Sequence, residues 1–570
     1  MQLRGFQKDT VLKIKNKLTT GVTRQIVQYA TGLGKTPLFS ALPDELGFTK
    51  RMMVVVHREQ LNVQALNKLK VWNPGRTVGV EMGDWNSNGE QLVVAGNATI
   101  GRKNSPRLLK FDPNDFDCLV IDECHHATSQ SYRTIVDHFT QNKSLLVLGV
   151  TATPNRADGT GLGQVFQELV DTKDILYGIN HGWLSDLRGI RIKTGVSLNE
   201  VHNVAGDFAQ GELGATVNTP ARNRLIAESW KEHAAGRQTV IFSVNIQHAI
   251  DIATVFKEQG IDSEAVWGDD PDRALKLTRH REGKITVLVN CQLLTEGYDD
   301  WKVSCIGVAR PTQSEGLYTQ MIGRGTRIPD GIGNLRNARH AGLKIEKDDC
   351  LILDWVDATS KHSLVTMPTL FGMTSNMDLH GKAISAVVAE IAQVKQKNPL
   401  LDLTKIDDID KLQSYAEQVD FFKVSFPDGI QTISENQWHR TADNMYILSL
   451  PHREGLVVAK DILDTWHIVG DVNECNVNDT RPSFAEAIQE ADFKVERLGG
   501  KALSELVKRE RAWHREEPTP KQLSTCKRFN IVVPPGATKG QVSMTLSKMF
   551  HDLWARDRAR RACSEDDART

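Results

Sequence analysis

Short apolar, β-branched runs are what most limit the folds open to this chain. MVVV (53–56), CLVI (118–121), LLVLGV (145–150), TVIF (239–242), TVLV (286–289), CIGV (305–308) and CLIL (350–353) are apolar at successive positions, so both faces of each would be buried. Strands of that kind sit at the centre of parallel sheets. The intervals between them leave room for helices. Asn245 to Gln259, for example, carries Ile246, Ala249, Ile250, Ala253 and Phe256 near helical spacing. The alternation predicts α/β layers built from βαβ units. The runs fall into two sets that part around 170–225, which predicts one α/β domain over 1–180 and a second over 181–370. A chain of 570 residues is too long for one core, so further domains are expected.

The texture changes after Phe371. The segment AISAVVAEIAQVKQ predicts a helical linker over 371–415. NMYILSL, GLVVAKD and TWHIVG then predict a β-meander, followed by a helix from Ser483 to about Ala491, as an accessory domain over 416–515. Trp438 and Trp466 fall in this region, as core or as a stacking platform for nucleic acid. TPKQ and TKGQ each place Gln three residues after Thr, so both predict capping-box helix starts in a small helical module over 516–555. The second start opens a face of Val542, Leu546, Met549, Phe550, Leu553 and Trp554, and 556–570 reads as a charged tail. The eight cysteines contain no C-x-x-C pair, which argues against a zinc ribbon or a disulfide framework, so no zinc is expected. No apolar run reaches membrane-spanning length and no leader precedes the first motif, so a cytoplasmic location with no membrane partner is expected. The formal net charge of −1 says nothing about partners, because a basic groove can be balanced by acidic surface elsewhere.

QYATGLGKT (28–36) carries the chemistry of a phosphate-gripping loop. Gly32 and Gly34 let main-chain N–H groups close around phosphate oxygens, with Thr31 and Leu33 in the same loop. Lys35 offers a cation to the β- and γ-phosphates, and Thr36 a hydroxyl to Mg²⁺. The loop follows the plausible strand RQIVQY and precedes a helix with Pro37 in its first turn. Taken alone, it could be an ordinary Gly-rich strand-to-helix turn. CLVIDECHH ends a buried strand in Asp122 and Glu123, where a purely structural sequence would place turn residues. Asp122 is assigned to Mg²⁺ and Glu123 to the attacking water, which together describe an ATP-hydrolysing site; Cys124 is read as a buried filler.

ATGLGKT, DECH, TATP (151–154) and QMIGRGTR (320–327) resemble, in order, motifs I, II, III and VI of superfamily 2 helicases of the DEAD/DEAH-box type. LRGFQ resembles the Q motif, VVVHREQL motif Ia and VNCQLLTEGYD motif V. RPTQSEGLYTQ and DCLILDWVDATSKH look like the branch that holds RadD-like and XPB-like repair motors and the motor subunits of restriction systems. The likeness covers residues 3–365. Because this superfamily commonly carries A-x-x-G-x-G-K-T, Tyr29 is no defect in the loop.

The resemblance implies an α/β fold of two RecA-like parallel-sheet domains in tandem, followed by an α+β C-terminal region. It implies that Gln7 reads the adenine edge with Arg4 beside it, and that Gly297 and Asp299 approach the nucleotide. Gln320, Arg324 and Arg327 would come from the second domain, and Gln320 and His125 would hydrogen-bond across the cleft. Arginines so placed stabilise charge on the transferring phosphoryl by about 4–7 kcal/mol. His57, Arg58, Thr99 and Thr295 would meet nucleic acid through its phosphates, so binding would be salt-sensitive and nearly sequence-blind. The implied activity is an ATP-dependent helicase or translocase with ATP and Mg²⁺ as cofactors. DNA is favoured over RNA, in repair, recombination or defence. The alternative is an ATP-switched clamp or motor subunit whose nuclease or methyltransferase lies on another chain, with the C-terminal region as a possible protein-docking site. Three departures stand out: AGNAT lacks a Gln near motif Ib, Trp301 replaces a common Pro after motif V, and the cysteine-rich module of RadD-like proteins is missing.

Overall fold

Strand-forming runs and the helices between them assemble into two units, Met1–Phe371 with Asp378–Ala386, and Gly372–Met377 with Val387–Thr570. The structure is a computed structural model. It describes residues 2–57, 59–152, 162–204, 207–291, 298–358, 364–375, 377–397, 406–412, 430, 433–436, 438–440, 445–450, 454–461, 465–508, 516–529, 531, 533, 536–543 and 545–546.

The first unit opens with helix α1 (Gly5–Thr19), strand β1 (Arg24–Tyr29) and helix α2 (Lys35–Glu45). β2 (Arg51–Val56), β3 (Val78–Glu81), β4 (Leu92–Gly96), β5 (Phe116–Asp122), β6 (Leu146–Thr151) and β7 (Glu168–Lys173) complete a seven-stranded sheet. Its order is β3-β4-β2-β5-β6-β1-β7 and every pairing is parallel. Apart from Arg51 and Asp117 the central strands are buried, as runs apolar on both faces require. Parallel register brings the carboxyl ends into one row: Gln28 lies opposite Thr151, Asp122 opposite Val150, Val56 opposite Gly96 and Glu81 opposite Ala95. That edge is where open α/β sheets hold ligands.

The second sheet of this unit contains β8 (Asp186–Ser197), β11 (Thr239–Ser243), β12 (Ser263–Val266), β13 (Val287–Cys291), β14 (Cys305–Val308) and β15 (Asp349–Ala358). Its order is β12-β13-β11-β14-β15-β8, again parallel throughout, and a short antiparallel pair, β9 (Asn203–Val204) with β10 (Asp207–Phe208), lies outside it. Two tryptophans fill its core and both satisfy their indole N–H: Trp230 donates to Thr239 Oγ1 and Trp355 to Ser229 Oγ, each at 2.8 Å. The fold of the first unit is thus two RecA-like parallel-sheet domains in tandem.

In the second unit β16 (Trp438–Arg440), β17 (Tyr446–Ser449), β18 (Gly455–Lys460), β19 (Trp466–Val472) and β20 (Cys475–Arg481) form an antiparallel meander. Trp438 is buried and donates its N–H to Asp492 at 3.0 Å, so it is core; Trp466 is half-buried and packs on Phe484. The helix after the meander runs Phe484–Leu506, well past Ala491, with a break at Gly500 (φ 72°). Val495, Leu498 and Leu503 keep presenting apolar surface to the meander, which extends the helix beyond its expected end. Both capping boxes form. Thr519 and Gln522 exchange hydrogen bonds, as do Thr538 and Gln541. Val542 and Leu546 are buried with Cys526 and Ile531; Met549, Phe550, Leu553 and Trp554 lie outside the described residues.

Candidate active site between the two sheets of the first unit

At the end of β1 the chain turns through Ala30–Gly34, where Gly32 (φ +91°) and Gly34 (φ +89°) take backbone angles that a side chain would strain. Gln7 secures this loop from α1. It is almost wholly buried, its Oε1 accepts the Arg4 N–H at 2.9 Å, and its Nε2 donates to the carbonyls of Gly34 (3.0 Å) and Leu33 (3.3 Å). Tyr29 faces away from the loop into a buried cluster, sharing a hydrogen bond with Thr10, which donates to Asp171. That explains why a bulky residue is tolerated there.

β5 delivers Asp122 and Glu123 to the same edge. Glu123 has φ +50°, uncommon for a residue with a side chain. Lys35 Nζ lies 3.4 Å from its Oε1, and His125 Nδ1 lies 3.5 Å from its Oε2. Burial works against the ionised form, but Lys35, His125 and Arg324 outweigh it and hold the Glu123 carboxyl below the ordinary range. A carboxylate that is ionised at neutral pH results. His125 Nδ1 also hydrogen-bonds Thr151 Oγ1 at 3.1 Å, within the first domain, and the buried Gln320 makes no bond to it among the described residues. Burial pushes the Cys124 thiol far up, so it serves as a filler.

The second sheet supplies the facing wall through helix Glu315–Gly323 and the turn after it. A Cβ built on Gly323 would sit 2.7 Å from Thr31 Cβ; one on Gly32 would sit 2.8 Å from Leu184 Cδ2 and 3.4 Å from Arg327 Cδ. The two walls are therefore in contact at the phosphate loop. Arg324 donates to the Tyr298 carbonyl at 3.0 Å, and Arg327 pairs with Asp299. Arg4 stacks over Trp183 at 4.9 Å, its pKa lowered by burial and by the nearby Arg327. Lys347, a residue with no sequence signal of its own, donates to the carbonyls of Gly325 (2.7 Å) and Arg327 (2.8 Å) and braces the turn.

Tyr318, on the same helix, donates its hydroxyl to Asp354 on β15 at 2.7 Å. Burial pushes the Asp354 carboxyl up to about 6, against 3.8 unperturbed. The folded state then holds a proton that the unfolded chain releases, so this group's contribution to stability is full below pH 3.8 and is lost as pH rises through 6. Asp354→Asn, which can still accept from Tyr318, is expected to raise the melting temperature at pH 8 by an amount worth up to about 3 kcal/mol and by about half as much at pH 5. Equal shifts at both pH values would contradict this.

Of the four positions implied for nucleic acid, His57 and Thr99 are described. His57, at the end of β2, is exposed and stacks on His126 at 4.4 Å, and His126 in turn lies 4.1 Å from His125. Thr99, just past β4, accepts the Gly83 N–H at 3.4 Å. Arg58, Thr295 and Gly297 lie outside the described residues. The donor set around Lys35 suits a triphosphate, with Thr36 and Asp122 offering the oxygen ligands that Mg²⁺ takes.

Three family descriptions match parts of this chain. Residues 1–156 match the family described as Type III restriction enzyme, res subunit, and residues 221–329 match Helicase conserved C-terminal domain. The chain is a superfamily 2 helicase of the restriction-motor branch. It is, by that membership, an ATP-dependent enzyme. Residues 408–568 match a third family, Mitochondrial helicase Irc3, C-terminal domain. A Schizosaccharomyces pombe protein named as the mitochondrial ATP-dependent helicase irc3 is 29% identical over 93% of this helicase and 87% of its own length. A Saccharomyces cerevisiae protein named as the ATP-dependent helicase IRC3 is 33% identical over 69% of the chain, which spans 58% of that relative. The Type I restriction enzyme EcoAI endonuclease subunit of Escherichia coli is 24% identical over 58% of the chain, which spans 45% of that relative. Among the described residues no helix is long and apolar enough to cross a membrane.

Proposed function

We propose that this helicase moves along DNA, using ATP held between its two parallel-sheet domains. The observation that carries the reading is the contact of Thr31 and Gly32 with Gly323 and Arg327, which puts both domains against one phosphate loop. In this reading Arg4 and Gln7 hold the adenine side. Thr31 to Thr36 hold the phosphates, with Gly297 and Asp299 approaching from the second domain. Mg²⁺, held by Thr36 and Asp122, would supply charge neutralisation between the phosphates. Glu123 takes the proton of the attacking water. Arg324 and Arg327 stabilise the developing charge from the second wall, with His125 and Gln320 lining the cleft. Hydrolysis needs the walls together and product release frees them, so a strand held by His57, Arg58, Thr99 and Thr295 would be gripped and released in turn.

DNA is preferred because one relative is named as a restriction endonuclease subunit, a class of enzyme that acts on DNA. The cytoplasmic expectation widens, since one relative is named mitochondrial: the chain would work where DNA and ATP meet, in cytoplasm or in mitochondrial matrix. The test is ATP hydrolysis with no nucleic acid, single-stranded, duplex and forked DNA, and RNA, at two salt concentrations. Strong stimulation by DNA that weakens with salt is expected. Stimulation by RNA alone would overturn the substrate, and stimulation by nothing would overturn the motor. The restriction relatives keep a second reading open, a motor subunit serving a nuclease on another chain. A stoichiometric partner required for activity would favour it.

A further inference from the structure

Trp85 is 73% exposed, the barest large apolar side chain among the described residues. It sits in the loop that leaves β3, and its place is built rather than incidental. Trp85 and Met82 exchange both backbone hydrogen bonds, at 2.8 and 3.0 Å. Glu81, fully buried, is ion-paired with Arg107 and Lys110 and accepts the Ser87 N–H at 2.8 Å. Arg107 also donates to the Gly83 and Trp85 carbonyls. A buried carboxylate and two cations thus fix the backbone of a loop whose one large ring is left in water. Such an ion network costs desolvation and gives rigidity in return, which suits a ring held ready for a ligand.

The sheet says which ligand. Moving from β5, with Glu123, across the carboxyl edge, the order is β2, β4, β3. His57 follows β2, Thr99 follows β4 and Trp85 follows β3, with Thr99 directly bonded to the Gly83 N–H of the Trp85 loop. The Trp85 loop is three strand spacings, about 15 Å, beyond β5 on the side away from β1. The two cations nearest the loop, Arg107 and Lys110, are already engaged by Glu81 and by loop carbonyls, so what the loop leaves free for a ligand is the face of the Trp85 ring, which suits the face of a base. Exposed Arg102 and Lys103, in the segment after Thr99, can take the phosphates.

We propose that Trp85 is a stacking site for an unpaired nucleobase at the far end of the strand path that passes Thr99. This rests on the nucleic-acid reading above. Stacking of a base on an aromatic ring corresponds to about 5- to 150-fold in affinity. The test compares wild type, Trp85→Phe and Trp85→Ala by the concentration of single-stranded DNA that half-saturates ATPase stimulation. A parallel measurement follows the quenching of 2-aminopurine placed at successive positions of the oligonucleotide. Trp85→Ala is expected to raise the half-saturating concentration 5- to 150-fold and to abolish quenching at one position, with Trp85→Phe near wild type and melting temperatures equal. Stimulation and quenching alike in all three proteins would overturn the stacking site and leave the motor standing. Loss of a co-purifying protein from Trp85→Ala, with DNA behaviour unchanged, would assign the ring to a protein partner instead. If no nucleic acid binds or stimulates the wild type, the motor reading itself falls and takes this site with it.

Discussion

Glu123→Gln is expected to cut ATP turnover by about 10²–10⁴-fold while ATP still binds, the loss typical when a positioned general base is removed. The carboxylate is held ionised by Lys35 at 3.4 Å, with His125 and Arg324 adding to the field. Gln keeps the size but cannot take a proton from water. Lys35 is released from its ion pair and stays with the phosphates, so nucleotide affinity should hold or rise. Steady-state hydrolysis, paired with equilibrium binding of a fluorescent ATP analogue, reads both. Because the Glu123 pKa is lowered, the acid limb of the wild-type rate profile owed to this group should fall below the ordinary carboxylate value of about 4.3. More than a tenth of wild-type turnover in Glu123→Gln would mean another group activates the water.

The second large effect concerns stability. Asp357→Ala should destabilise the first unit by about 3–5 kcal/mol, because it strands a buried guanidinium. Arg222 and Asp357 are 1% and 0% exposed and meet through two bonds, Nε to Oδ1 at 2.9 Å and Nη2 to Oδ2 at 2.8 Å. Arg222 also donates to the Ala309 carbonyl at 3.1 Å, and Thr194 donates to Asp357. The network ties β8, β14, β15 and helix Pro220–Ala234 together just upstream of the helix that bears Gln320. Replacing both partners with apolar residues, Arg222→Met with Asp357→Leu, should recover much of the loss. Urea titration of the two proteins checks it: a single variant costing less than about 1 kcal/mol would show the pair to be well hydrated.

The same contrast between local and long-range signals explains what the sequence made legible. All seven apolar runs became central or near-central strands, since burial on both faces leaves a continuous apolar string. The strands that went unread include the sheet edges β3, β7, β8 and β12, which are only partly buried and carry charged or polar residues among the apolar ones, so no continuous apolar string marks them. The loop from Gly32 to Thr36 and the Asp122-Glu123 pair were legible because each packs its chemistry into a few consecutive residues. Lys347, Leu184, His126 and Trp85 were not. Each matters through something distant in the chain: Lys347 through the carbonyl of Arg327, Leu184 through Gly32, His126 through His57, Trp85 through the edge order of a sheet. The helix past Ala491 was missed for a similar reason, its continuation being decided by the meander it packs on.

Glu123, finally, sits in a left-handed backbone conformation that costs a residue with a side chain roughly 1–2 kcal/mol, and it carries a buried charge as well. Glycine or asparagine at that position would relax the turn. A laboratory search for heat-tolerant variants, scored on folding alone, should therefore select against this position early. Retaining it would require every round to be scored on ATP consumption as well.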